Sequence, residues 1–394
     1  MTDTPLRALL VHNYYQQPGG EDGVFAAETA LLEAHGHPVR QLTFDNDAIP
    51  PRRSAIISAQ IAARTVWSRQ GFRGVRQAIR AFRPDVIHFH NTFPLISPAA
   101  YYAAAAEGVP VVQTLHNYRL FCTNGLFYRD GHVCEDCLNK PIPLPGVLHA
   151  CYRGSRAASG TVAAMLTAHR ALHTWTRMVD RYIVLTPFAY DKCVEGGLPP
   201  EKLTIKPNFV SPDPGPGTGQ GGYALFVGRL SPEKGVGTLL RVWEQFAGRI
   251  PLKIVGDGPL APAVAEAARR LPNVEWLAQL PQAKVFATMQ DASVLVFPSE
   301  WYEGLPRTVI ESFAAGTPVI APRLGAMEQL IRHHHTGLHY PPGDPDALAA
   351  AVEWAFAYPT ALAAMRAQAR IAFEQQYTAE ENYEQLMKVY TSVV

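Results

Sequence analysis

Residues 297–322, FPSEWYEGLPRTVIESFAAGTPVIAP, decide the fold. An apolar run, residues 294–297, ends at Phe297. A loop with Glu303 and Gly304 follows, then a helical pattern opening near Pro306 and carrying Glu311, then a second β-branched run, residues 318–321. Strand, loop, helix and strand in that order predict a βαβ unit and a parallel sheet, whose ligands bind outside the carboxyl ends of the strands. The free N–H groups at such a helix start suit a phosphate, and Gly304 lets a ligand approach the backbone. Glu311 can accept the hydrogen bonds of a ribose diol. Two solvated carboxylates on a helix give the same Glu-x7-Glu spacing, so the pair gains meaning only from its place between two strands.

Upstream, residues 226–237 (FVGRLSPEKGVG) follow another predicted strand, 224–227. Gly228 frees the backbone there, and Arg229 and Lys234 can converge on one oxyanion, as the departure of a nucleoside diphosphate requires. Two exposed basic residues in a loop are the plain alternative. Residues 255–260 (VGDGPL) again end a strand with glycines, Gly256 among them. With strands at 252–255 and 274–277, this half reads as one doubly wound α/β domain, residues 223–377. Residues 208–222 (NFVSPDPGPGTGQGG) have no apolar periodicity and read as a linker. Before it, strands at 6–12, 39–44, 85–89, 109–115 and 182–185 alternate with helical patterns, which predicts a second domain of the same class over residues 1–207. At the end, Thr378-x-x-Glu381 is a capping pattern for a helix over 378–394 that packs on the first domain.

A length of 394 residues suits two or three domains. Lys plus Arg number 35 and Asp plus Glu 34, so no global field favours nucleic acid. No secretion signal or spanning segment is recognised, which points to the cytoplasm. No Gly-x-Gly-x-x-Gly follows the first strand of either half, which argues against a dinucleotide dehydrogenase.

GRLSPEKG, VGDGP and the Glu303-to-Glu311 block ending in AAGTPVIAP, with GHPVRQL (36–42), PDVIHFHN (84–91) and VVQTLHN (111–117) before them, resemble the family-4 retaining glycosyltransferases of the GT-B fold. The resemblance implies two Rossmann-like domains facing across a cleft. It gives Arg229 and Lys234 to the donor diphosphate, Glu311 to the ribose, and Glu303 to the sugar ring, aided by N–H groups around Gly304 and Leu305. Gly19 and Gly20 match the family's glycine loop, and His116 a histidine that contacts the transferred sugar; ordinary turn and structural roles are their plain alternatives. The chain departs at Asn117, where the family often has Asp, and at Phe209, where Pro-Asn-Gly is common. The implied reaction needs no metal. It passes a sugar from a nucleoside-diphosphate sugar to a glycan, lipid-linked or small-molecule acceptor, by same-face substitution with the leaving phosphate as base. A sugar-nucleotide epimerase, a phosphorylase or an inactive binding module are the rival readings.

Cys122, Cys134, Cys137 and Cys151 form C-x11-C-x2-C-x13-C in an insertion at about 117–155. Four thiolates can hold a structural Zn²⁺, with His132 and His149 as spare ligands, although free thiols, two disulfides or a redox pair fit the same spacing. Cys193 reads as a buried small hydrophobe. Residues 50–84 hold eight Arg and no Asp, Glu or Lys. Arg69, Arg73, Arg76, Arg80 and Arg83 share one helical face, able to rest on an anionic membrane or simply to be solvated, and Gly71 and Gly74 weaken the helix near its start.

Overall fold

The computed structural model of the chain describes residues 5–16, 19–50 and 54–394. These form two compact units. The first takes the described residues up to Phe127 with Cys134–Pro207 and Asn382–Val394; the second takes Asn208–Glu381 with Tyr128–Val133.

In the first unit, β1 (Ala8–Tyr14), β2 (Val39–Asp45), β3 (Val86–Phe89), β4 (Val111–Leu115), β7 (Arg181–Val184) and β8 (Leu203–Ile205) form one parallel sheet in the order β2-β1-β3-β4-β7-β8. The intervening β5 (Tyr128–Arg129) and β6 (His132–Val133) make an antiparallel hairpin that groups with the second unit. Its Asp130-Gly131 turn has positive φ at both residues, as a tight right-twisted hairpin requires. The strand β1 is buried almost throughout, as a parallel strand covered on both faces must be. It runs past the expected end at His12 because Asn13 is satisfied inside: its amide donates to Asn46 Oδ1 at 2.9 Å, and its Oδ1 accepts from the N–H of Leu95 at 3.0 Å. The last helix, Ala379–Thr391, is capped by Thr378 Oγ1, which accepts from the N–H of Glu381. Its Leu386, Val389 and Tyr390 are buried with Ala8, Leu10, Phe25 and Val86.

The helix Arg69–Phe82 is capped by Ser68, whose Oγ accepts from the N–H of Gly71 at 2.9 Å. Gly71 does not weaken the packing there. A Cβ at this position would lie 2.2 Å from the carbonyl oxygen of Ile96, so glycine is what lets the helix lie close.

In the second unit, β9 (Ala224–Val227), β10 (Leu252–Val255), β11 (Val274–Trp276), β12 (Val294–Val296), β13 (Val319–Pro322) and β14 (Gly337–Tyr340) form a parallel sheet in the order β11-β10-β9-β12-β13-β14. Trp243, Phe246, Ile254, Val296 and Leu348 fill its core. The segment 208–222, which begins where the second unit does, is held by hydrogen bonds. The N–H groups of Gly217, Gly219 and Gly221 donate to Ala315, Gln290 and Asp291, and Asp213 pairs with Arg370 at 2.7 Å. A Cβ on Gly217 would sit 2.2 Å from the Gln290 carbonyl oxygen, so this glycine serves close approach. No single helix among the described residues is long and apolar enough to cross a membrane.

Candidate functional site

The strand order of the second unit reverses at β9, which has β10 on one side and β12 on the other. Gly228, at the end of β9, donates its N–H to Val255 at 3.0 Å, and Leu230 donates to Asp257 at 2.9 Å. Gly256 has φ +142°, and a Cβ there would be 1.9 Å from the Gly228 carbonyl oxygen, so no side chain is tolerated between these two loops. Gly235, at φ +70°, brings the β9 loop equally close to Pro298, after β12.

This packing sets Lys234 Nζ 2.7 Å from Glu303 Oε1. Glu303 is 4% exposed, and the same Oε1 accepts from Ser299 Oγ at 2.7 Å and Trp301 Nε1 at 2.8 Å. Lys234 keeps part of its side chain in solvent, with Nζ 5.2 Å from the Trp301 ring centre, and Arg229 is exposed. Leu305 is buried beside Gly304, just before the helix Arg307–Ala314. Glu311 stands on that helix and pairs with Arg307 at 3.1 Å. Burial raises its carboxyl above the usual range, against the pull of the guanidinium. Next to Glu303, Glu300 accepts from Thr238 at 2.7 Å and from the hydroxyl of Tyr128, in the hairpin. Burial together with Glu300 and Glu233 pushes that phenol up to about 12.

Of the expected residues, Lys234 and Glu303 are thus brought into contact, as are Gly228 and Gly256, while Glu311 is engaged by Arg307. Sequence reasoning missed Ser299, Trp301, Arg307 and Tyr128. The Asp-Gly turn was the available signal for the last.

In the first unit, Gly19 caps the helix Gly20–Ala34 in extended conformation, and a Cβ there would be in ordinary contact with the Glu21 side chain at 3.9 Å. Its N–H donates to Asp22 Oδ2 at 2.8 Å, and Asp22 Oδ1 lies 2.7 Å from Nε2 of the buried His12. Glu21 accepts from Asn91 at 3.2 Å and from Asn117 at 3.4 Å. Burial and then the charge of Asp22 push the Glu21 carboxyl up to about 8, against Arg119 and the Asn117 amide. The departure at Asn117 has a local reason, since an aspartate there would face a second carboxyl instead of donating to it.

His116 follows β4, and its Nε2 lies 3.1 Å from His90 Nδ1. Beyond His90 is Glu28, 1% exposed, which forms a 2.7 Å ion pair with the equally buried Lys206. Lys206 also donates to Asn382 Oδ1 at 3.0 Å. Burial alone would raise the Glu28 carboxyl, but Lys206, His90 and His88 hold it well below the usual range. Burial and the neighbouring His90 push His116 well below the usual imidazole range. None of Glu28, His90 or Lys206 was singled out from sequence, because each carries its meaning only through distant partners.

Among the described residues none of the five cysteines forms a disulfide. Cys137 is buried, and its thiol is pushed up to about 11 by burial and by Cys122, Cys151 and Cys134 nearby. Cys122 donates to Asn124 Oδ1 at 2.9 Å. Among the described residues, the group of three or more possible ligand atoms lying within 4.8 Å of one another is not this one but Glu28, His88 and His90. Cys193 is buried in the helix Pro187–Glu195. On the Arg-rich helix, Arg76 and Arg80 pair with Glu107 at 2.5 and 3.0 Å, and Arg69, Arg73 and Arg83 are exposed. Arg52 and Arg53 lie outside the described residues.

The two parallel α/β units are those of the GT-B fold, shared with the Anabaena protein HepE solved in complex with UDP (TM-score 0.67, 16% identity, 98% of this chain and 100% of that one). The pattern described as "Glycosyl transferases group 1" matches residues 221–357, and that described as "Glycosyl transferase 4-like domain" matches residues 19–208. The chain belongs to this family of glycosyltransferases, group 1 or family 4. It is 30% identical over 266 residues to the "GDP-mannose-dependent alpha-mannosyltransferase" of Mycolicibacterium smegmatis, covering 66% of this chain and 61% of that protein. Against the "Phosphatidyl-myo-inositol mannosyltransferase" of Mycobacterium tuberculosis it is 33% identical over 137 residues, 34% of this chain and 36% of that protein. The chain thus spans less than two thirds of the length of these relatives.

Proposed function

We propose that the protein is a retaining, metal-independent glycosyltransferase, moving a hexosyl group from a nucleoside-diphosphate sugar to a glycan, lipid-linked or small-molecule acceptor in surface polysaccharide or glycoconjugate biosynthesis. The observation that carries this reading is the Lys234–Glu303 pair held at the strand-order reversal of the second unit, where a doubly wound sheet takes its ligand. Relatives named for mannosyl transfer, and a fold neighbour bound to UDP, support the donor class.

In this reading Arg229 and Lys234 neutralise the charge that grows on the leaving diphosphate, a task fixed cations can perform in place of a divalent ion. N–H groups around Gly304 and Leu305 assist them, Glu311 takes the ribose hydroxyls, and Glu303 orients the sugar ring. His116 meets the transferred sugar, while Gly19 and Gly20 form the glycine loop at the start of their helix, facing the donor phosphate and acceptor. Glu303 Oε1 already accepts from three donors, which makes it a poor nucleophile. That favours same-face departure and attack, with the leaving phosphate as base, over a covalent intermediate. A panel of UDP-, GDP-, ADP- and dTDP-sugars is expected to stabilise the protein through one base only, by ~2.7 kcal/mol at a hundred times Kd. Arg229→Ala combined with Lys234→Ala should abolish that shift. If no nucleotide stabilises a folded sample, the inactive-module reading takes over.

We also propose a structural Zn²⁺ drawn in by Cys122, Cys134, Cys137 and Cys151, supported by the absence of disulfides among the described residues and by the electrostatic influence of the other three thiols on Cys137. About one equivalent of zinc is expected in purified protein, with a lowered melting point after chelation. A zinc-free sample that melts unchanged with chelator removes the idea. A cytoplasmic location is proposed on the same footing. Contact with anionic membrane falls to the exposed Arg69, Arg73 and Arg83, although the pairing of Arg76 and Arg80 with Glu107 favours a solvated face. Flotation that is indifferent to anionic lipid settles for the solvated face.

A further inference from the structure

The buried cluster behind His116 is larger than packing needs. Two of its atoms, Glu28 Oε2 and His90 Nε2, are buried without a hydrogen-bond partner, and they face each other at 3.4 Å. Leaving both unsatisfied costs desolvation energy twice, and one proton between them relieves both. A metal ion is a poor occupant of this spot. Lys206 Nζ already sits 2.7 Å from the same carboxylate, and His88 is committed through Nδ1 to Tyr390 at 2.9 Å and through Nε2 to Thr114 at 2.8 Å.

The proton logic then runs in one direction. Glu28 is held ionised beside the Lys206 ammonium, and an ionised carboxylate only accepts. In a neutral His90 the proton therefore sits on Nε2, pointing at Glu28, and Nδ1 is a lone pair. The neighbour of that lone pair at 3.1 Å is His116 Nε2, which must carry the proton of that ring. The remaining nitrogen, His116 Nδ1, is left as an acceptor on a partly exposed residue at the end of β4.

We propose that Glu28 and His90 are positioning residues that lock His116 in its Nε2–H tautomer, so that His116 Nδ1 accepts a hydrogen bond from a hydroxyl of the sugar undergoing transfer. The inference deepens, and rests on, the reading that His116 meets that sugar. Lys206 has a part in the device, since its ammonium keeps Glu28 an acceptor. The histidine's duty is to orient a hydroxyl, and no proton is transferred through the train.

The test is ¹⁵N NMR of the full chain labelled at histidine, with the His116 signals assigned by their loss in His116→Gln. In the wild-type protein His116 is expected as the pure neutral Nε2–H tautomer. Glu28→Gln replaces the carboxylate by a group that can donate to His90 Nε2, which reverses the train and should move His116 to the Nδ1–H form. His90→Leu removes the acceptor but leaves the Glu28–Lys206 pair intact, so it decides the matter if Glu28→Gln does not fold. There His116 should become a mixture of tautomers. In both variants kcat for sugar transfer should fall at least ~10-fold, with the donor KM changed less than ~3-fold. An Nδ1–H tautomer in the wild type, or an unchanged tautomer in His90→Leu, overturns the proposal. If His116→Gln transfers sugar at the wild-type rate, the reading of His116 itself fails and the proposed role falls with it, whereas the tautomer measurement still reports on the lock alone.

Discussion

At the carboxyl ends of β9 and β12 the second unit holds an ion pair that is open to a ligand, with Lys234 Nζ on Glu303 and the lysine side chain 21% exposed. The first unit has a pair of the same chemistry and length, Lys206 just after β8 on Glu28 of the helix Gly20–Ala34, with both side chains 1% exposed and three histidines around it. In the first arrangement only the lysine reaches solvent, and Glu303, its side chain 5% exposed, keeps Ser299 and Trp301 as donors if the lysine turns to a phosphate. The second cannot make that exchange, because separating the charges would strand them in the interior. The contrast teaches that identical side-chain pairs on similar sheets are suited to binding or to positioning according to their access to solvent.

Lys206→Met is the sharpest way to break this comparison. It leaves Glu28 buried without its cation and should cost ~3–5 kcal/mol in urea unfolding, whereas Lys234→Ala combined with Arg229→Ala leaves Glu303 with Ser299 and Trp301 as donors and should cost ~1–2 kcal/mol while nucleotide affinity falls at least ~100-fold. Equal stability losses in the two experiments would erase the distinction.

A smaller effect concerns Glu21, whose carboxyl is held up to about 8 by burial and Asp22, with Arg119, Asn91, Asn117 and Tyr15 as its other neighbours. In the unfolded chain the same group titrates near its ordinary value of 4.5. Between these values the folded state binds the extra proton, so stability falls as pH rises from about 4.5 to about 8. Glu21→Gln lacks this loss. Its melting point relative to wild type should rise through that window and level off above it, a gain on the order of 1–2 kcal/mol after allowance for partial solvent contact. A difference that is flat from pH 5 to 9 would show that Glu21 is an ordinary solvated carboxylate.

The βαβ alternation was legible because parallel strands covered on both faces leave short apolar runs in the sequence. The runs expected at 224–227 and 252–255 are β9 and β10 to the residue. The short strands β8 and β14 went unread, three and four residues long respectively and without a distinct apolar run. The linker read at 208–222 begins where the second unit does, and composition gave no sign of its packing, in which glycines admit Gln290 and Arg366.

The sequence by itself determined the class of fold and the residue types at the candidate donor site, since glycines, cations and carboxylates at strand ends are local in the chain. Only the tertiary structure decided which of them meet. Glu28 and Lys206 are 178 positions apart, and Lys234 and Glu303 are 69 apart. No local pattern records such pairings, because burial and partner choice are properties of the packed interior.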